Sequence, residues 1–88
     1  MARKTWGIAD TVAFYEVILD NEGTLPTNAQ YVDLMAQTGC SRGSAETMAW
    51  RAQTVLGFNQ GRPPAKGITR LDVAVAKLYR ARDPRVPA

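Results

Sequence analysis

The sequence predicts an all-α domain of four helices, and three observations carry that expectation. Apolar residues recur at spacings of three and four in four separate segments, which is the period of one helix face. Glycine or proline stands just past the end of each segment, and a good N-capping residue precedes three of them. No pair of segments alternates with the two-residue period of neighbouring strands.

The first helix is expected from Ile8 to Glu22, with Ile8, Val12, Tyr15, Ile18 and Leu19 on one face. Gly23 suits the left-handed turn that follows, and Leu25-Pro26 resists helical continuation. Thr27 caps a short second helix whose stripe is Tyr31, Leu34, Met35 and Thr38, and Gly39 stops it. Ser41 caps a third, in which Ala45, Met48, Ala49, Ala52, Val55 and Leu56 keep helical spacing until Gly57. Residues 58–67 hold two glycines and two prolines and read as an extended basic Gly/Pro loop. Thr69 caps a C-terminal helix from Arg70 to about Arg82, which Asp83-Pro84 ends. Residues 1–6 are then an N-terminal arm and 83–88 a flexible tail on a single domain spanning 1–88.

A chain of 88 residues, 45% of them hydrophobic, fits one core of modest size, so added stability from DNA, a partner or a second copy is plausible. The single cysteine, Cys40, and the absence of histidine exclude an internal disulfide and a zinc site of the usual nitrogen and sulfur type. No metal and no cofactor is expected. No run approaches the roughly 18 apolar residues of a membrane helix, and the start is unlike a signal-peptide core, so the expected compartment is the cytoplasm.

Enzyme chemistry is disfavoured by the inventory. There is no histidine and no usual phosphate-cradling glycine loop. Asp10 and Glu16 lie six apart, and Asp20 and Glu22 two apart, so neither pair shares a helix side. Cys40 next to a helix start is either a thiol of lowered pKa or a small residue filling a turn.

Charge is unevenly placed. Residues 1–38 carry two bases and five acids, a net −3, whereas residues 39–88 carry nine bases and three acids, a net +6. A polyanion would meet the second half.

Met35 lies four residues before Gly39, and Ala45 and Met48 lie six and nine after it, the positions at which two helices across a tight turn lock together. The stretch from Val32 to Met48 resembles the helix-turn-helix of bacterial repressors, here spanning about residues 28–56. Ser41-Arg42-Gly43-Ser44 is similar to the Ser-Arg-Gly-Thr start of the recognition helix in GntR-type regulators and to an Arg-Gly-Ser segment in KfrA-type plasmid regulators. It departs from the common pattern at Met35, where alanine is usual, and at Thr38 and Ala45, where larger apolar residues are usual.

The resemblance implies a sequence-specific double-stranded DNA-binding protein, a transcriptional repressor or a plasmid or phage maintenance regulator. Ser41, Arg42, Gly43, Ser44 and Thr47 would then open a recognition helix in the major groove, with Arg51 further along the same side. Thr27 and Asn28 at the start of the second helix, and Arg62, Lys66 and Arg70 beyond the third, would meet the backbone or the minor groove.

Several residues admit two readings. Gly61-Arg62-Pro63 resembles the centre of an AT-hook, yet Gln60 replaces the usual arginine and a solvated linker remains the alternative. Trp50 is a core residue or a surface on which a sugar or base stacks. The last helix has Leu71, Val75 and Leu78 on one side and Val73, Ala76 and Tyr79 on the other, so helix 70–82 is either a homodimer contact or one wide core face. The rival function is a small phage- or plasmid-borne adaptor or inhibitor that grips a protein with the same architecture.

Overall fold

The computed structural model describes residues 6–59, 61 and 63–87. Among these the chain forms four helices and no strand: α1 (Ile8–Asp20), α2 (Asn28–Thr38), α3 (Arg42–Val55) and α4 (Arg70–Arg82). This is the all-α arrangement that the apolar periodicity predicts. α1 and α3 pack on each other and each touches both remaining helices, while α2 and α4 flank this central pair without meeting.

α1 is central because Phe14, Tyr15 and Ile18 have no exposed surface, and Leu19 almost none. Its start is held by Asp10, whose carboxylate accepts the Gly7 N–H at 3.0 Å. It ends at Asp20, two residues before the expected end at Glu22, with Asn21 as its C-cap and the Asn21 side chain paired with Gln30. That amide pair is reciprocal (2.7 and 3.0 Å), and Gln30 also closes the capping box at the start of α2. Glu22 and Gly23 then both take positive φ, 56° and 91°. A Cβ at Gly23 would lie 2.2 Å from the Phe58 ring, so this position needs glycine for space as well as for φ.

The caps expected at Thr27, Ser41 and Thr69 all form, each side-chain oxygen accepting a backbone N–H three residues on. α3 buries Ala45, Ala49 and Ala52 completely, with Met48 and Gln53 nearly so. Gln53 donates to the Gly23 carbonyl at 2.9 Å, which ties α3 to the α1–α2 turn. Trp6 stands edge-on to Phe14, with ring centres 5.9 Å apart. Trp50 is half-buried, between the two readings its sequence position allows.

α4 differs from its two-sided expectation. Asp72, Val75 and Ala76 are buried with Leu71 and Tyr79 partly so, whereas Val73 and Leu78 are 52% and 56% exposed. The buried face lies between the two sides read from sequence, taking one member or more from each, and a carboxylate rather than a leucine sits in it. Residues 83–87 also depart from the flexible tail expected there. Val86 enters the core, and Arg85 pairs with Glu16, Asp20 and Asp83, each at 2.7 Å, which folds the segment back on α1. Hydrogen bonds from Arg85 hold the Asp83 carboxyl below its usual range.

Asp72 joins three helices. Its Oδ2 accepts from Thr69 N (3.0 Å), from Thr69 Oγ1 (2.9 Å) and from Arg51 Nη2 of α3. The Tyr15 hydroxyl of α1 donates to the Asp72 carbonyl at 2.9 Å and lies 3.3 Å from its Oδ1. Burial alone would raise the Asp72 pKa, but the hydrogen bonds from Thr69 and Arg51, with the arginine charge, outweigh it and leave the pKa lowered. Burial and the neighbouring carboxylate push the Tyr15 phenol up, so it stays a donor.

No described helix is long and apolar enough to cross a membrane, and no group of three or more His, Cys, Asp or Glu among the described residues is placed to hold a metal ion.

Gly23→Ala lowers stability by about 2 kcal/mol or more in urea unfolding, whereas Gly39→Ala, which has the same left-handed backbone but open space around a Cβ, costs about 1 kcal/mol. Arg51→Met leaves a buried charge uncompensated and costs about 3 kcal/mol. Because the Asp72 pKa is lowered on folding, its contribution is complete above the unfolded value of about 3.9 and is lost as pH falls through the lower folded value. Urea unfolding across the acid range therefore shows a flatter pH dependence for Asp72→Asn than for the native chain.

Candidate nucleic-acid interface

The α2–α3 connection is three residues long, Gly39, Cys40 and Ser41. Gly39 takes φ 72° and ψ 17°, and its N–H returns to the Met35 carbonyl at 2.8 Å, which terminates α2 sharply. Thr38 donates to the Leu34 carbonyl at 2.7 Å, and its hydroxyl lies 3.1 Å from Cys40 Sγ, so both small side chains fill the inside of the turn. Leu34, Thr38, Cys40, Ala45 and Met48 are all buried, so the inner faces of the two helices close on one another. Cys40 is therefore the turn-filling residue of its two readings.

The opposite side of α3 faces outward. Ser41, Gly43, Ser44, Glu46 and Thr47 are exposed, and Arg42 is partly so. Ser41 Oγ accepts from Ser44 N at 3.2 Å and lies 3.1 Å from Ser44 Oγ, so these two serines are tied together at the helix start. Thr47 donates back to the Gly43 carbonyl at 3.1 Å. Nothing lies within 4 Å of a Cβ placed on Gly43, and its φ is not in the left-handed region. No packing demand for glycine exists there, although glycine in a helix costs about 1 kcal/mol relative to alanine.

Shallow grooves run on both sides of the Gly43–Thr47 ridge. One, of about 340 Å³, is lined by Leu25, Tyr31, Glu46 and Trp50 as well as the ridge. The other, of about 240 Å³, adds Trp6, Ser44, Met48 and Arg51. Trp6 therefore stands at the edge of this face.

Arg42 is held rather than loose. Its Nε donates to Glu46 Oε2 (3.2 Å) and its Nη2 to Asn28 Oδ1 (3.0 Å), while its guanidinium carbon stands 4.2 Å from the Tyr31 ring centre. Asn28 and Arg42 are the first residues of α2 and α3. The Arg42 side chain thus bridges the start of α3 to the start of α2. Thr27 stands beside it, its hydroxyl engaged in capping.

The structure thus brings Thr27, Asn28, Ser41, Arg42, Gly43, Ser44 and Thr47 to one surface. Arg51 lies on the same helix, but its side chain is only 17% exposed and its guanidinium is committed to Asp72 and Thr69, so it is not offered outward as expected. Arg70 is exposed and directly follows that Thr69 cap. Lys66 is exposed on the loop, which Thr54 of α3 anchors by accepting the Ala65 N–H at 2.9 Å. Arg62 lies outside the described residues.

Sequence reasoning missed the roles of Tyr31 and Glu46 around Arg42, and it missed the burial of Asp72. The four-residue spacing of Arg42 and Glu46 was a usable signal. Nothing in the sequence joins Asn28 to a residue fourteen positions away. Compared with models of protein families, with curated proteins and with solved structures, the chain matches none.

Proposed function

We propose that this chain binds double-stranded DNA with sequence selectivity, laying the first half of α3 in the major groove. The observation that carries the reading is the build of that helix start. Arg42, Gly43, Ser44 and Thr47 project from a helix whose other face, Ala45, Met48, Ala49 and Ala52, is buried, directly after a three-residue turn from α2. The major groove, about 12 Å wide, admits a helix presented in this way.

Each residue has a chemical task in this reading. Arg42 reads guanine through O6 and N7, and Ser44 and Thr47 contact bases or phosphates. Gly43 leaves room for a base or sugar where any side chain would stand. Thr27 and Asn28, at the start of α2, meet a phosphate, as helix N-termini do elsewhere. Lys66 and Arg70 supply further phosphate contacts, and Arg62 enters the minor groove or follows the backbone. Arg51 serves by fixing α3 to α4 and not by reading bases.

The resemblance to GntR-type and KfrA-type regulators supports a role as a repressor or as a plasmid or phage maintenance regulator. Val73 and Leu78, exposed on different sides of α4, each offer an apolar contact for a second copy, and a dimer through helix 70–82 would read a two-fold symmetric site.

Titration against random and selected duplexes across a salt series tests the proposal. With five or six phosphates neutralised, log affinity falls against log salt with a slope of roughly −5. Arg42→Ala weakens specific binding by about 1 to 3 kcal/mol and relaxes one base position, while Lys66→Ala weakens all sequences alike. Equal loss on specific and random DNA for Arg42→Ala refutes the groove assignment, and no binding at low salt moves the reading to a protein-gripping adaptor.

Gly43→Ala separates folding from binding. It raises stability by up to about 1 kcal/mol in thermal or urea unfolding, because the helix gains propensity and no atom obstructs the methyl. The same variant binds the selected duplex more weakly; unchanged affinity would remove the close-approach role.

A further inference from the structure

Arg42 carries three restraints of different kinds. Glu46 accepts from Nε at 3.2 Å, Asn28 accepts from Nη2 at 3.0 Å, and the Tyr31 ring lies beneath the guanidinium at 4.2 Å. Tyr31 is itself buried, so the ring is a fixed platform, whereas Asn28 and Glu46 stand on two different helices at the exposed rim. A long side chain left free must be ordered when it binds, and that loss is subtracted from whatever contact it makes. Here the ordering is done before any ligand arrives.

The choice of atoms matters. A guanidinium offers five N–H groups in a planar fork. Glu46 and Asn28 engage Nε and Nη2, and Nη1 has no partner among the described residues. Nη2 keeps its second N–H as well, so the Nη1–Nη2 edge retains donors for an acceptor pair such as guanine O6 and N7. Glu46 adds a second effect, since its charge beside Arg42 opposes any phosphate that approaches.

We propose that Asn28, Tyr31 and Glu46 are positioning residues that hold the Arg42 guanidinium with its Nη1–Nη2 edge available to guanine, so that discrimination of one G·C pair depends on side chains that need not touch it. The inference rests on the DNA-binding reading and deepens it. The ligand it names is a duplex with a guanine facing the start of α3. Glu46 acts in two senses at once, sharpening discrimination while lowering affinity for every sequence.

The probe is the duplex that the native chain selects from a randomised pool, together with its three single-base variants at the position that Arg42→Ala makes indifferent. Asn28→Ala and Glu46→Ala each lower guanine preference at that position by roughly two- to tenfold, the effect of undoing the ordering of one side chain. Preferences at other positions stay unchanged. Glu46→Ala at the same time raises affinity for random duplex at low salt, whereas loss of a structural residue would lower it. Glu46→Gln keeps an oxygen for Nε and retains most of the preference while also binding random duplex more tightly. In an Arg42→Ala background neither Asn28→Ala nor Glu46→Ala has a further effect on preference.

Both positions are exposed, and helical circular dichroism of each variant checks that it folds. Preference within about twofold of native in both alanine variants, with Arg42→Ala still abolishing it, overturns the positioning role and leaves the DNA reading intact. Recovery of no duplex from the pool overturns the DNA reading and this inference with it.

Discussion

The close seating of α3 governs the rest of the molecule. α3 must lie against all three other helices and still leave its first two turns open, and small residues make that possible. Ala45, Ala49 and Ala52 are wholly buried, and larger side chains at those places would push the helix away from α1. With α3 seated, the turn at Gly39, the capping serines and the outward ridge follow from local geometry. Gln53, near the far end of the same helix, and Phe58 just beyond it then fix the α1–α2 turn.

The outward surface combines features that a helix packed on four sides would not keep. Charge, an unforced glycine and an arginine that bridges to the start of α2 occur within the first turns of α3. Each alone has ordinary structural explanations. Together they are the features on which the proposed DNA-binding reading rests.

Helix identity was legible because it depends on neighbours in sequence. Thr27, Ser41 and Thr69 cap as their residue types indicate, and Gly39 takes the left-handed conformation its position calls for. What was not legible depends on distant partners. Arg51 reads as an outward cation until Asp72, twenty-one residues on, takes its guanidinium inward. The tail at residues 83–87 reads as loose until Arg85 finds two carboxylates on α1. α4 misled for a related reason, since its buried face is centred on a carboxylate that hydrophobic counting passes over. Of the candidate site, the exposed start of α3 was readable, and the restraint of Arg42 across helices was not.

The buried carboxylate of Asp72 also ties the docking of α4 to the packing of the other two helices. Thr69 supplies local partners, but the remaining ones come from α1 and α3, with Tyr15 fifty-seven residues away, so the charge is fully satisfied only where all three helices are together. A displacement of α4 would leave that charge with its local partners alone, so one side chain couples the seating of the last helix to that of the central pair.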